Sequence, residues 1–122
     1  MSLIAVIDTE TNWYDEVMSI GVVAADSLTM QKKQWRYYIL DPECRSEGMY
    51  SDRMDLADPA DTRTCSRPEA MEDLRQWLEE LGIREIFAYN ARFDCHHLPE
   101  LKFLQWYDIM KIAAYRQSLY CR

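Results

Sequence analysis

Three strand-like segments within the first 40 residues constrain the fold of this chain more than any other feature. They cover residues 3–7, which stop at Asp8, then residues 17–25 and 34–40. All three are rich in β-branched or aromatic residues, which suit pleated strands. Short connections such as Asp26-Ser27 join the second to the third, and short connections favour antiparallel neighbours. The N-terminal third therefore predicts an antiparallel meander of three strands.

A strongly marked helix is predicted further along, at residues 66–81. Its start is a capping box, because Ser66 is followed by Pro68 and then by Glu69, three residues after the cap. Gly82 ends it. Apolar residues recur at the spacing of one helical face, at Ala70, Met71, Leu74, Trp77, Leu78 and Leu81.

The rest of the chain gives weaker signals. Residues 41–65 predict an irregular connection with one helical turn near residues 51–56. A fourth strand is predicted at residues 84–89, parallel to its neighbour because a helix precedes it. Short helices are predicted at residues 94–102 and after Asp108. The predicted order is βββαβαα, which makes an α/β fold with a mixed sheet and helices packed on it.

Composition limits the protein class. The 122 residues suit one domain spanning residues 1–122. No apolar run approaches the roughly 20 residues needed to span a bilayer. The start of the chain lacks the basic region of a signal peptide, so we expect a cytoplasmic protein without membrane contact. The four cysteines form no C-x-x-C pair, which predicts free thiols in a reducing compartment.

A net charge of −7 is by itself unfavourable for binding nucleic acid. Residues 41–80 contain 12 acidic and 5 basic residues, so this segment accounts for the whole excess, and the remainder is balanced. Divalent cations between acidic side chains and a phosphate backbone would also change the local charge balance. The acidity therefore does not exclude a nucleic-acid partner.

Asp8-Thr9-Glu10 is the sharpest chemical signal. In an extended chain, residues i and i+2 project to one side, so both carboxylates face one way and Thr9 faces the other. A hard divalent cation with oxygen ligands is the natural occupant between two such carboxylates. The simpler alternative is a solvated turn after a strand.

A third acid, Asp94, follows the fourth predicted strand at the predicted start of a helix. Asp is common at such a position as an N-cap, and an N-cap acid can also bind a metal ion. Two flanking residues have simple explanations as well, since Asn90 is a common turn former and Phe93 a common core residue.

Together these segments resemble the DEDD (DnaQ-like) 3′–5′ exonuclease family, which has an RNase H-like fold. The resemblance runs through the chain in order and rests on Ile-Ala-Val-Ile-Asp-Thr-Glu-Thr at residues 4–11, Met-Ser-Ile-Gly-Val-Val at 18–23 and Asn-Ala-Arg-Phe-Asp at 90–94. It implies a phosphodiester hydrolase that acts on the 3′ ends of DNA or RNA. It also implies two Mg²⁺ or Mn²⁺ ions about 3.5–4 Å apart.

The same resemblance assigns roles to single residues. Asp8 would bridge both ions, Glu10 would bind the ion that generates the nucleophile, and Asp94 would help to hold the second. Substrate binding would fall to Thr9, Asn90 and Phe93. In addition, the aromatic residues at positions 13 and 14 could stack on a terminal base, although loop aromatics also serve packing.

One family motif has no counterpart. The family completes its site with a His or Tyr and a later Asp on a C-terminal helix, and no His-x-x-x-x-Asp follows Asp94. We therefore expect a C-terminally truncated fold with weak activity, or a homodimer in which a second copy compensates for the missing helix. His96 and His97 are interpreted as helix-surface residues, since neighbours on a helix point about 100° apart.

Two alternatives stay open beside the exonuclease. One is a catalytically incompetent fragment of the same family that binds nucleic acid or a partner protein. The other is a small nucleotide- or phosphate-binding α/β domain, which is disfavoured because the three glycines form no G-x-G or P-loop cluster.

Overall fold

A six-stranded mixed sheet forms the framework of the chain. The computed structural model describes residues 2–46 and 62–109. The sheet order is β4-β3-β2-β1-β5-β6. Its strands are β1 (Leu3–Thr11), β2 (Val17–Asp26), β3 (Lys32–Leu40), β4 (Thr62–Cys65), β5 (Glu85–Ala88) and β6 (Gln105–Asp108). Two α-helices, α1 (Arg67–Glu80) and α2 (Ala91–His97), and two short 3-10 turns, Glu43–Arg45 and Pro99–Leu101, complete the described elements.

The predicted antiparallel meander is confirmed. β1 pairs antiparallel with β2, and β2 with β3. β1 does not stop at Asp8 as predicted but continues to Thr11. The pairing with β2 continues through Asp8↔Gly21 and Glu10↔Ser19, so the strand extends into residues that lack an apolar pattern. The acids thus lie within the strand and not in a turn after it.

Helix α1 follows its sequence signals closely. Ser66 is the N-cap, and its side chain accepts the backbone N–H of Glu69. Leu81 is the C-cap, and Gly82 follows in the left-handed region at φ 69°, which glycine adopts without strain. The predicted apolar face is buried against the sheet, with Leu74 fully enclosed.

Two strands were missed by the sequence-based prediction. β4 pairs parallel with β3, and β6 pairs parallel with β5. Each has only four residues, and neither contains the apolar run that marks a buried strand. The order βββαβαα is therefore wrong. The described residues instead run β1-β2-β3-β4-α1-β5-α2-β6. The parallel fourth strand of the prediction is confirmed as β5, which pairs with β1.

Helix α2 begins earlier than the sequence suggested. Asn90 is its N-cap, so the interpretation of Asp94 as an N-cap is wrong; Asp94 lies inside the helix and is buried. The helix ends at His97, and a short 3-10 turn at Pro99–Leu101 follows it. The turn predicted near residues 51–56 lies outside the described residues, and so does the helix predicted after Asp108 beyond residue 109.

The structure bears on two expectations from composition, the lack of a membrane-spanning segment and the free cysteines. In the described ranges, no helix is long and apolar enough to cross a membrane. Cys44, Cys65 and Cys95 are free thiols. The fourth cysteine lies outside the described residues.

Candidate active site

A cavity of about 370 Å³ opens beside the second half of β1 and the start of α2. All six residues proposed from the sequence as metal or substrate ligands border it. Its lining consists of Asp8, Thr9, Glu10, Thr11, Asn12, Trp13, Tyr89, Asn90, Phe93 and Asp94. Residues more than 80 positions apart in sequence are thus brought to one place.

Sheet topology explains why the cavity forms here. β5 pairs with β1 only at Ala5 and Val6. From Asp8 onward, this edge of β1 therefore has no strand partner from β5, and α2 approaches it instead. Because side chains alternate along a strand, Asp8 and Glu10 project to one face of the sheet. Thr9 projects to the other, the face that carries α1 and α2.

Asp94 is the buried acid of the site. Only 2% of its surface is exposed, and Thr9 is 6% exposed. The Thr9 hydroxyl donates a hydrogen bond of 2.5 Å to Asp94 Oδ1. A buried carboxylate requires such partners, so Thr9 is committed to holding Asp94 in place. Its predicted role at the substrate remains untested.

The two aspartates influence each other electrostatically. Burial raises the pKa of Asp94 above its ordinary value of 3.8; hydrogen bonds from Thr9 oppose the shift, and the negative charge of Asp8 adds to it. Asp8 is open to solvent, yet dehydration by the surrounding protein still raises the pKa of its carboxyl. Like charges so placed favour a cation between them.

The N-cap residue that joins β5 to α2 has an unusual backbone conformation. Asn90 lies in the left-handed region, at φ 64° and ψ 61°, which Asn tolerates better than most residues. Its backbone N–H donates to Asp108 Oδ1 at the end of β6, at 3.1 Å. Its side chain makes no capping hydrogen bond and borders the cavity. This junction turns the chain so that Asp94 reaches β1.

The donor chemistry of the cavity fits a hard divalent cation. Three carboxylates line it, and carboxylate oxygens are the ligands that Mg²⁺ and Mn²⁺ prefer. Within residues 2–46 and 62–109, however, no group of three or more His, Cys, Asp or Glu side chains converges into a ready metal cluster. The cavity supplies suitable ligands whose side chains would have to move to share an ion.

Several bordering residues were not predicted from the sequence. Asn12 is 4% exposed, and Tyr89 is 67% exposed at the cavity. A buried Asn in a loop could have been suspected only as a turn former. Trp13, which was proposed from the sequence for stacking, does line the cavity with 68% of its surface exposed.

One histidine differs from its prediction. His96 is exposed on α2, as predicted for a surface residue. His97 is not a surface residue, since its side chain is only 9% exposed and contacts Asp15. The contact joins residues 82 positions apart, which no local pattern reveals.

Comparison with known proteins supports the fold. Among solved structures, the chain is similar to the nuclease domain of 3′hExo, a DEDDh family member, bound to rAMP, with a TM-score of 0.59 and 16% identity. The fold is RNase H-like, as in the DEDD exonucleases. The match covers 82% of this chain but only 57% of that nuclease domain. No protein-family model and no curated protein sequence matches the chain.

Proposed function

We propose that this chain is a metal-dependent 3′–5′ exonuclease-type domain that acts on the 3′ ends of DNA or RNA. The observation that carries the proposal is the placement of the buried Asp94 beside Asp8, in the cavity that Glu10 also lines. Burying an acid next to another acid destabilises a fold, and such arrangements are concentrated at functional sites. An RNase H-like fold alone would not support this function.

The three acids would hold Mg²⁺ or Mn²⁺ as a two-ion site. Bound there, the ions would supply a deprotonated water and stabilise the negative charge that develops on the leaving oxygen. Asp8 and Glu10 reach the cavity from β1 and Asp94 reaches it from α2. Thr9 would keep Asp94 ionisable and oriented by continuing to donate its hydrogen bond.

The ring-bearing residues of the cavity suit a nucleotide. Phe93 borders the acids from α2, and Tyr89 and Trp13 add exposed aromatic surface. Aromatic rings bind bases by stacking without strong sequence preference. The similar 3′hExo nuclease domain was solved with rAMP, a nucleoside monophosphate, and release of such a unit is what a 3′ exonuclease would accomplish.

The test is a nuclease assay with matched variants. A single strand labelled at its 5′ end is incubated with Mn²⁺ and the wild-type chain, with Asp8→Asn, and with Glu80→Gln. Glu80 lies on the exposed side of α1, so its variant removes one negative charge away from the cavity. We expect a ladder shortened from the 3′ end with wild type and Glu80→Gln, and none with Asp8→Asn.

Two results would contradict the proposal. Hydrolysis that persists in Asp8→Asn would remove Asp8 from the site. Shortening that proceeds from the 5′ end would contradict the stated polarity. An EDTA arm separates metal-dependent hydrolysis by this chain from a contaminating metal-independent nuclease.

A second candidate is a fragment that binds nucleic acid or a partner without hydrolysis. It is favoured by the absence of a converged three-ligand cluster among the described residues. Binding of the labelled strand without any shortening would favour this candidate.

The homodimer remains a separate proposal. The sheet face that carries Asp8 and Glu10 also carries Val6, Val23 and Phe87, all only partly buried. A second copy covering this face would bury apolar surface. Analytical ultracentrifugation at tens of micromolar should show a dimer, because weak interfaces associate roughly in the micromolar range. A clean monomer would contradict the proposal.

A further inference from the structure

The loop between β1 and β2 carries the two most exposed large aromatic side chains near the cavity. Trp13 is 68% exposed and Tyr14 is 76% exposed. Trp13 borders the cavity directly. A loop that presents aromatic surface to solvent gains little from burial, so other contacts must hold it in one conformation.

Asn12 fixes the base of this loop from inside. Its Oδ1 accepts the backbone N–H groups of Tyr14 and Glu16, at 2.9 and 3.0 Å. Its Nδ2 donates to the side chain of Glu16 and to the backbone carbonyl of Glu43, at 3.1 and 3.2 Å. One buried amide thus holds the ends of the loop together.

His97 fixes the tip of the loop from the side of α2. Its Nε2 lies 2.8 Å from Asp15 Oδ1, and its Nδ1 lies 2.8 Å from the backbone oxygen of Phe93. Both ring nitrogens therefore face acceptors, an arrangement in which the cationic imidazolium donates two hydrogen bonds. The ring also lies against the Phe93 ring, with centroids 4.2 Å apart.

These contacts connect the aromatic loop to the helix that carries Asp94. Asp15 has a left-handed backbone, at φ 62°, which places its carboxylate at the tip of the turn. On the other side, Phe93 borders the cavity four residues before His97 in the sequence. His97 therefore contacts both aromatic-bearing walls of the cavity without lining it.

We propose that His97 and Asp15 form a latch that holds the loop of residues 12–16 against α2 and thereby positions Trp13 to stack on the terminal base of a nucleic-acid strand. His97 is a positioning residue for the site, because it acts through Asp15 and Phe93. The inference rests on the proposed function for its ligand, but the latch itself can be tested without any ligand.

The first experiment follows the Trp13 indole N–H by ¹H–¹⁵N NMR, with the resonance assigned from a Trp13→Phe variant. His97→Gln and Asp15→Gly are compared with wild type, since glycine tolerates the left-handed backbone at residue 15. We expect the Trp13 signal to shift in both variants, while the Trp35 signal on β3 stays in place and reports an intact fold. An unchanged Trp13 signal in both would overturn the latch.

The second experiment is a double-mutant cycle on binding of a short single-stranded DNA with a free 3′ hydroxyl, measured in Ca²⁺ to avoid hydrolysis. Each single variant should weaken binding roughly two- to fivefold, the scale of one partly exposed ion pair. The double variant should bind the DNA with about the same affinity as the single variant that binds it less tightly. Effects that multiply would overturn the proposed coupling.

Two controls separate the possible failures. Asp15→Asn keeps an acceptor oxygen at the same backbone conformation, so it should restore much of the wild-type affinity; affinity as poor as that of Asp15→Gly would contradict the latch. If the wild-type chain itself binds no DNA, the proposed function fails, and the NMR comparison still decides whether the latch exists.

Discussion

The two helices on the same face of the sheet are held there by different means. α1 buries five residues, all of them apolar and four of them large, whereas α2 buries only Ala91 and the acid Asp94. Apolar burial contributes stability in proportion to area. A buried carboxylate costs stability unless it is well partnered. The difference indicates that α1 serves mainly the fold, and that α2 maintains an arrangement whose benefit lies in the site.

The largest expected effect comes from removing apolar contacts of α1. Leu74 is fully buried beneath the sheet, so Leu74→Ala should lower the free energy of unfolding by about 2–5 kcal/mol. Urea denaturation followed by circular dichroism measures the change. Gln76→Ala on the exposed side of the same helix is the control and should stay within about 0.5 kcal/mol of wild type. Equal effects would contradict the assignment of the buried face.

The next effect tests how Asp94 is tolerated. Thr9→Val keeps the shape of the side chain but removes the hydroxyl that donates to Asp94. Leaving a buried acceptor without this partner should cost about 1–3 kcal/mol. Thr9→Ser retains the hydroxyl and should recover most of the loss. A Thr9→Val chain as stable as wild type would show that the hydrogen bond does not support Asp94.

Replacement of the acid itself should have a smaller effect of opposite sign. Asp94 has a pKa above 3.8 in the folded chain, so the fold favours its protonated form and loses stability as pH rises from about that value through the higher folded pKa. Asp94→Asn should therefore raise the free energy of unfolding at pH 7 by about 0.5–2 kcal/mol, a common result when a destabilising functional group is replaced.

The pH dependence provides the check on that prediction. Thermal denaturation of both proteins across the acidic range should show the advantage of Asp94→Asn shrinking as pH falls towards 3.8, because the wild-type carboxyl is then protonated as well. An advantage that grows at low pH, or a variant less stable than wild type at pH 7, would contradict the account of Asp94.

Sequence patterns were sufficient for the α1 side and only partly for the α2 side. Period, cap and stop signals all agreed for α1, because a long amphipathic helix is encoded locally. The identities of Asp8, Glu10 and Asp94 were also visible, through motif spacing. That Asp94 lies within α2 and accepts a hydrogen bond from Thr9 was not visible. The helix starts after the left-handed Asn90, whose backbone N–H donates to Asp108, 18 positions away in the sequence.

The missed features share a physical cause. β4 and β6 are strands because they pair with β3 and β5, and their own sequences carry little preference. The contact between His97 and Asp15 joins segments 82 residues apart. Tertiary contacts of this kind decide the structure where local propensity is weak, and a single sequence contains no direct signal for them.

The smallest expected effect concerns the tie between the two regions. Arg67 at the start of α1 forms a salt bridge with Glu100 at 2.9 Å and donates to the backbone carbonyl of His97. Both side chains are partly exposed, so solvent screening should limit the loss in Arg67→Met to about 0.2–1 kcal/mol. Because salt screens exposed ion pairs, the stability of Arg67→Met should also depend less on salt concentration than the stability of wild type.

The sign of the pH dependence is opposite to that of Asp94. The Arg67 guanidinium lowers the pKa of Glu100 below its ordinary 4.5. The bridge therefore stabilises the fold above pH 4.5 and is lost as pH falls through the lower folded pKa. The difference between wild type and Arg67→Met in thermal denaturation should accordingly shrink at low pH, to the part that the hydrogen bond to the His97 carbonyl contributes. A difference of the same size at low and neutral pH would contradict a contribution from the bridge to Glu100.

The most direct test of the central claim is a titration of Mn²⁺ followed by electron paramagnetic resonance, which counts free ions without requiring substrate or hydrolysis. Wild type and Glu80→Gln should bind Mn²⁺, while Asp8→Asn and Asp94→Asn should lose binding even though Asp94→Asn folds at least as stably as wild type. Equal binding by all four chains would contradict a metal site formed by β1 and α2.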